Sequence, residues 1–240
     1  MILSILLALL TIYIGSADPT GADITYNATS ALASGTPGNR TDARGTITTI
    51  ILDAVQQDQH WKGYVGNVSA VLTLDDVSGN TIYDWDLTGV TMTGRVFAVR
   101  VLQPNFTSVQ CAVAANILAE ETFHNMTSTD VDSINSTFTY KKHDAFTIGI
   151  DSIAVNSCNS TATFVNDTRQ NMSAATAGIL FQELLLEDGS NNILYTTIIE
   201  DDTQGFTLTA NESFDFQLIL PESNVKPSPT TYYFFTEIGS

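Results

Sequence analysis

Ten asparagines in this 240-residue chain stand in the acceptor pattern Asn-x-Ser/Thr: Asn27, Asn39, Asn67, Asn105, Asn125, Asn135, Asn159, Asn166, Asn171 and Asn211. An N-linked oligosaccharide is bulky and hydrated, so every one of these positions that carries a glycan must face solvent, in a secreted protein. Ten such points between residues 27 and 211 restrict how any part of the chain can be turned inward. Composition does not produce them by accident. With 16 Asn, 33 Thr and 19 Ser, chance would place about three or four Asn in the pattern.

Strand-like stretches add a parity test, because successive side chains of a strand point to opposite faces. In Tyr64 to Leu74 the alternation puts Val68, Ala70, Leu72 and Leu74 inward, with Asn67, Ser69, Val71 and Thr73 outward. Around Asn135 the inward pair is Phe138 and Tyr140, with Thr137 and Thr139 sharing the face of Asn135. Around Asn211 the inward set is Phe214, Phe216, Leu218 and Leu220, and Ser213, Asp215 and Gln217 accompany the asparagine outward. The glycan face and the core face thus separate in all three.

The palette is that of strands and polar turns. Charged residues make up 15%, against about 25% in an average globular protein. The balance of 9 basic and 26 acidic residues, net −17, excludes nucleic acid as a partner, since phosphate recognition needs clustered Lys and Arg. It suits an extracellular, solvent-facing surface. Cys111 and Cys158, an isolated pair in such a compartment, are expected to form one disulfide; without a Cys-x-x-Cys pair or nearby His they make no zinc set. Strands are expected at Val96 to Leu102, Thr107 to Val113, Phe146 to Ile153, Ile179 to Leu186, Ile193 to Glu200, Phe206 to Thr209 and Thr230 to Ile238. One helix, Ala114 to His124, offers Ile117, Leu118 and Phe123 to a core. The fold class that follows is mainly β, an antiparallel β-sandwich of immunoglobulin-like or jelly-roll-like type. Its last segment, Tyr232 to Ile238, is apolar on both faces and is expected as a buried central strand or as one that completes a neighbour's sheet.

An internal similarity links the two halves. Leu72 to Tyr83 and Leu184 to Tyr195 match at six of twelve positions, and each reads as strand, polar turn, strand. The turns Asp76-Val-Ser-Gly-Asn80 and Asp188-Gly-Ser-Asn-Asn192 hold the residue types that accept positive φ. Either the body is two related β-units, or one sandwich uses the same hairpin twice.

The run Met1 to Ala17 is apolar all round, broken mainly by Ser4 and Thr11. It has a small residue at Ala17 where a secretory signal would be cut, but no Lys or Arg ahead of the apolar stretch. If kept, it needs burial on every side, which copies packed together can supply. Ile2, Leu3, Ile5, Leu6, Leu7, Leu9, Leu10, Ile12 and Ile14 are then the assembly residues, with the segment most simply a helix. The organisation expected is an apolar segment at 1–17, a Ser/Thr/Gly-rich extended linker at 18–45 and a glycosylated body at 46–240.

No catalytic pattern emerges, and no enzyme is expected. His60, His124 and His143 each lie beside polar loops and read as solvated; there is no nucleophile elbow, phosphate loop or haem motif. No cofactor is expected beyond N-linked glycans. Calcium, through Asp75, Asp76, Asn80, Asp84, Asp86, Glu187, Asp188, Asn191 and Asn192, is the less favoured alternative, because Asp and Asn belong in hairpin turns for backbone reasons and no 12-residue loop is present. Trp61 and Trp85 with Tyr64 and Tyr83 form a possible sugar platform, although core packing suits them better.

His60-Trp-Lys-Gly-Tyr-Val-Gly-Asn-Val-Ser69, Asn80-Thr-Ile-Tyr-Asp-Trp85 and Phe214-Asp-Phe-Gln217 resemble stretches of archaeal secreted proteins. Over its whole length the chain resembles archaeal pilin-like surface-filament glycoproteins: an apolar N-terminus, a Ser/Thr-rich connector and an acidic, sequon-rich β-body. The resemblance implies a structural subunit of an extracellular appendage, with copies of itself as partners and a membrane stage only before assembly. Its apolar segment is shorter than the long helix of type IV pilins and archaellins, which leaves room for filaments joined by strand exchange. The alternative function is a secreted adhesin or carbohydrate-binding module.

Overall fold

The computed structural model describes residues 20–21, 38–42, 45–49, 60–68, 71–86, 93–166, 168–173, 178–201, 203–204, 213–223 and 229–238. The apolar run at 1–17 with its assembly residues, Asn27, Asn211 and the strand expected at 206–209 lie outside them.

β-branched and aromatic runs become strands, and polar clusters between them become turns. In chain order the strands are β1 (Thr20–Gly21), β2 (Gly38–Asp42), β3 (Gly45–Thr49), β4 (Trp61–Gly66), β5 (Val71–Asp75), β6 (Thr81–Asp86), β7 (Gly94–Val99) and β8 (Gln110–Cys111). Helices α1 (Ala114–Phe123) and α2 (Ile134–Thr137) follow. Then come β9 (Phe146–Ile148), β10 (Asp151–Ile153), β11 (Ser160–Ala162), β12 (Phe164–Val165), β13 (Thr168–Arg169), β14 (Gln182–Glu187) and β15 (Ile193–Ile198). The last are β16 (Thr203–Gln204), β17 (Ser213–Phe214), β18 (Phe216–Pro221) and β19 (Tyr233–Ile238). Among the described residues the strands far outnumber the two helices, so the chain is mainly β.

The main sheet is antiparallel, in the order β1-β19-β7-β15-β14-β11, with β8 also pairing β14. Both its faces are covered. On one, Val96, Ala98, Leu185, Ile193 and Tyr195 pack with Leu218 and Leu220 of the β4–β18 sheet, Ile117 of α1, and Ile134 and Phe138 around α2. On the other, Phe97, Val99, Leu184, Leu186 and Leu194 pack with Phe146, Ile148 and Ile153 of the β9–β10 hairpin and with Phe106 and Val109. β14 is therefore buried along its whole length, its acidic residues Glu183 and Glu187 included.

Several details depart from the pattern expected of the sequence. Residues 134–137, expected as a strand, form α2: the Ser133 hydroxyl accepts the Ser136 N–H at 3.1 Å and Glu121 accepts the Asn135 N–H at 2.7 Å, satisfying two first-turn donors. Tyr64 to Leu74 divides into β4, which pairs β18, and β5, which pairs β6; Leu74 is exposed rather than inward. Asp215 and Gln217 are buried rather than outward. Asp215 accepts the Val68 N–H at 2.6 Å and Gln217 donates to the Phe164 carbonyl at 3.1 Å, so both faces of this strand meet protein. The last strand, β19, is next to the rim instead of central, its side chains half-buried apart from buried Glu237. In the expected linker, β1 joins the main sheet and the β2–β3 hairpin crosses residue 45.

Candidate functional site

Of the ten sequon asparagines, seven are described with their surroundings. Asn67, Asn125, Asn135, Asn166 and Asn171 are exposed, and Asn105 and Asn159 are half-buried. Asn39 lies in β2. Local chemistry explains how they come to face out. Asn125 ends α1 with φ 57° and Asn166 turns between β12 and β13 with φ 48°; asparagine enters this left-handed region more readily than most residues. In Asn105-Phe106-Thr107, Asn125-Met126-Thr127, Asn159-Ser160-Thr161 and Asn171-Met172-Ser173 the middle residue is buried, at 9%, 4%, 0% and 6% exposure. A core-anchored middle residue pushes its flanking Asn and Ser/Thr toward the surface. Asn171 is further held by a turn in which its side-chain oxygen accepts the Ser173 N–H at 3.0 Å.

The expected disulfide is present: Cys111 is bonded to Cys158, 47 positions on. Its place gives it a structural task. Cys111 lies in β8 opposite Leu186, and Cys158 lies two residues before β11, whose Ser160 faces Leu184. Two short strands thus cover one edge of β14, spliced by the sulfur bridge. Buried His143 supports the splice. Its Nε2 accepts the Cys158 N–H at 2.9 Å and its Nδ1 lies 2.8 Å from the Asp144 carbonyl, which fixes a neutral ring with the proton on Nδ1.

All three histidines were expected to be solvated, and the structure corrects this. His124 and His143 are fully buried, and half-buried His60 lies 2.7 Å from Asp132. His124 belongs to a cluster under α1 that pattern reading missed. The Arg100 guanidinium forks onto Glu120 at 2.8 and 2.6 Å and stacks on Phe123, 3.6 Å from the ring centroid. Glu120 also lies 3.3 Å from His124 Nε2, and the Tyr232 hydroxyl donates to the Pro221 carbonyl at 2.7 Å while lying 3.2 Å from that nitrogen. Burial pushes the Glu120 carboxyl up, but hydrogen bonds from His124 and Arg100 outweigh it and hold the group below its ordinary range. Glu183, on the same face of the sheet, has no such partner charge; burial pushes it well up, against one N–H bond from Ile219. The types suit acid–base work, yet Glu120, His124 and Tyr195 are enclosed in the core. What the cluster does is clamp α1 to the sheet. Of the expected helix face only Ile117 is buried; Leu118 and Phe123 are exposed, and Glu120 and Glu121 are buried in their stead.

The repeated hairpins close identically. Asp76 accepts the N–H groups of Ser78 and Asn80 and the Asn80 amide at 2.8, 2.9 and 2.9 Å; Asp188 accepts those of Ser190 and Asn192 and the Asn192 amide at 2.8, 2.8 and 2.9 Å. Gly79 at φ 79° and Asn191 at φ 64° occupy the same place. Glu187 accepts from Gln110, Val113 and Asn116. The candidate calcium oxygens at Asp76, Glu187 and Asp188 are therefore engaged with donors of the chain itself. Among the described residues no three of His, Cys, Asp and Glu stand close enough to hold a metal ion.

Trp61 is half-buried, its ring 6.0 Å from that of Phe138 and its indole N–H bonded to the Asp132 carbonyl at 2.6 Å. Tyr64 packs on Phe234 with centroids 5.5 Å apart, whereas Tyr83 is exposed. The four aromatics are thus divided between the core and a separate hairpin. Among the described residues no helix is long and apolar enough to cross a membrane. Compared with protein families, curated proteins and solved structures, the chain shows a significant match to none.

Proposed function

We propose that this chain is a structural, pilin-like subunit of an extracellular, heavily N-glycosylated filament, assembled through its apolar N-terminal run. The observation that carries the reading is the place of β1: two residues separate Ala17 from Thr20, and Thr20–Gly21 forms the rim strand of the main sheet against β19. The apolar run is thus tethered to an edge of the body, where a second copy can approach. The exposure of five sequon asparagines supports a sugar-coated body, and the enclosed Arg100–Glu120–His124 cluster supports a scaffold rather than a catalyst. The adhesin alternative loses support from Trp61, which is committed to Phe138 and Asp132.

Removal of residues 1–17 tests the proposal. The truncated protein is expected to sediment as a soluble monomer while the full chain forms filaments visible by electron microscopy. Filaments from the truncated protein would overturn it.

A further inference from the structure

Asn105 is held more firmly than any other described sequon asparagine. Its backbone N–H donates to Asp188 at 2.8 Å and its carbonyl accepts the Gly189 N–H at 2.9 Å. Its side-chain oxygen accepts both the Thr107 hydroxyl at 2.6 Å and the Thr107 N–H at 3.2 Å. Phe106, between them, is sunk in the core edge-on to Phe97 and Phe235, with centroids 5.4 and 5.7 Å away. The amide plane is therefore fixed, and its nitrogen Nδ2 points over Gly189: a Cβ built there would stand 2.7 Å from it.

The missing side chain at 189 is not demanded by the turn. The twin hairpin closes with the same hydrogen bonds and carries Val77, fully exposed, at the equivalent position. Gly189 is not among the residues with positive φ either, so its backbone would accept a side chain. What sets 189 apart from 77 is the asparagine lying across it.

We infer that Asn105 is an oriented glycan site, in which the first sugar of an N-linked oligosaccharide leaves Nδ2 across the open surface of Gly189 and lies along the 188–192 hairpin. This rests on the glycoprotein reading and adds which sequon holds its sugar in place, and how. In the attachment step Nδ2 attacks C1 of the reducing sugar of an oligosaccharide borne on a polyprenyl phosphate. The N–C1 bond forms, the C1–O bond to the carrier breaks, the phosphate leaves with the electron pair, and the amide proton passes to a base of the transferring enzyme. Thr107 and the hairpin then hold the glycosylated amide as they hold the bare one.

The test uses the full chain secreted from a host that attaches N-acetylglucosamine-linked glycans, with each sequon followed by peptide mass spectrometry. Native protein is treated with an amidase that hydrolyses the Cγ–Nδ2 bond of a glycosylated asparagine, releasing the sugar with its nitrogen and leaving aspartate. Release at Asn105 is expected to be severalfold slower than at Asn67 or Asn125 in the folded protein, and equal to them after denaturation. Gly189→Val, copying the twin hairpin, is expected to fold and to raise the Asn105 rate to that of the others. Equal rates in the folded wild type, or a bare Asn105 beside occupied sequons, would overturn the inference while leaving the glycoprotein reading intact. Absence of sugar at all sequons would remove both. The wild-type comparison decides the matter even if the valine variant does not fold.

Discussion

His143 holds the backbone of Cys158 through a lone pair, so its role depends on the ring being neutral. Burial pulls it below its ordinary value of 6.5, with the Asp144 carbonyl and charge opposing in part. The unfolded chain takes up the proton at higher pH than the folded one, so the stability this residue supplies is whole above about pH 6.5 and is lost as pH falls toward its folded value. Glu200 works the other way over a neighbouring range: burial raises it to about 7, so its contribution is whole below about 4.5 and fades as pH rises through 7. The informative quantity is the difference in unfolding free energy between wild type and His143→Gln, expected to be largest near neutrality and to shrink as the pH is lowered below 6.5. A difference constant with pH would show that His143 does not couple to protonation. None of this was visible in the sequence, where polar neighbours made each histidine look solvated. Their burial comes from partners far along the chain, Tyr232 for His124 and Cys158 for His143. The sequons, by contrast, were legible because Asn, a middle residue and Ser/Thr are consecutive.

Helix α1 shows what an element owes to contacts its own sequence does not announce. Its N-cap, Val113, makes no side-chain cap bond, and Leu118 and Phe123 are left outside. It is held by Ile117 in the core, by the Arg100 fork onto Glu120, and by Glu187, which accepts from Val113 and Asn116. Removing Arg100 leaves the buried Glu120 carboxylate with His124 alone, so Arg100→Met is expected to cost up to about 3 kcal/mol. Replacing both, as Arg100→Met with Glu120→Met, is expected to recover most of that loss, and urea unfolding of the three proteins measures it. If the double variant were no better than the single, the clamp would act by packing alone. The paired hairpins were readable because each closes within five residues, through one aspartate. α2 was misread because the alternation of Asn135, Thr137 and Thr139 with Phe138 and Tyr140 mimics a strand, while the donors that settle it answer to Ser133 and to Glu121, fourteen residues away.

At the scale of the molecule, the mainly β class was legible from a Thr-rich, charge-poor palette, but the order of strands in the main sheet was not, since β7, β15 and β19 meet across about 140 residues of chain. The disulfide closes a long loop between two of the strands that cover β14. On the chain-entropy model its reduction is expected to cost about 4 kcal/mol, measured as a lowered urea midpoint in the presence of a thiol reductant. Thiol labelling before reduction is expected to mark neither Cys111 nor Cys158. An unchanged midpoint on complete reduction would mean that packing alone keeps the strands in place. The two rims of the main sheet consequently obey different chemistry. One is made of two short strands that a covalent bond ties to each other, so they leave β14 together or not at all until electrons are supplied. The other rests on the pairing of Thr20 and Gly21 with Thr236 and Phe235, a two-residue strand with no covalent tie to a neighbouring strand. The sheet is in this sense polar, its strands yoked in a pair at one end and single at the other.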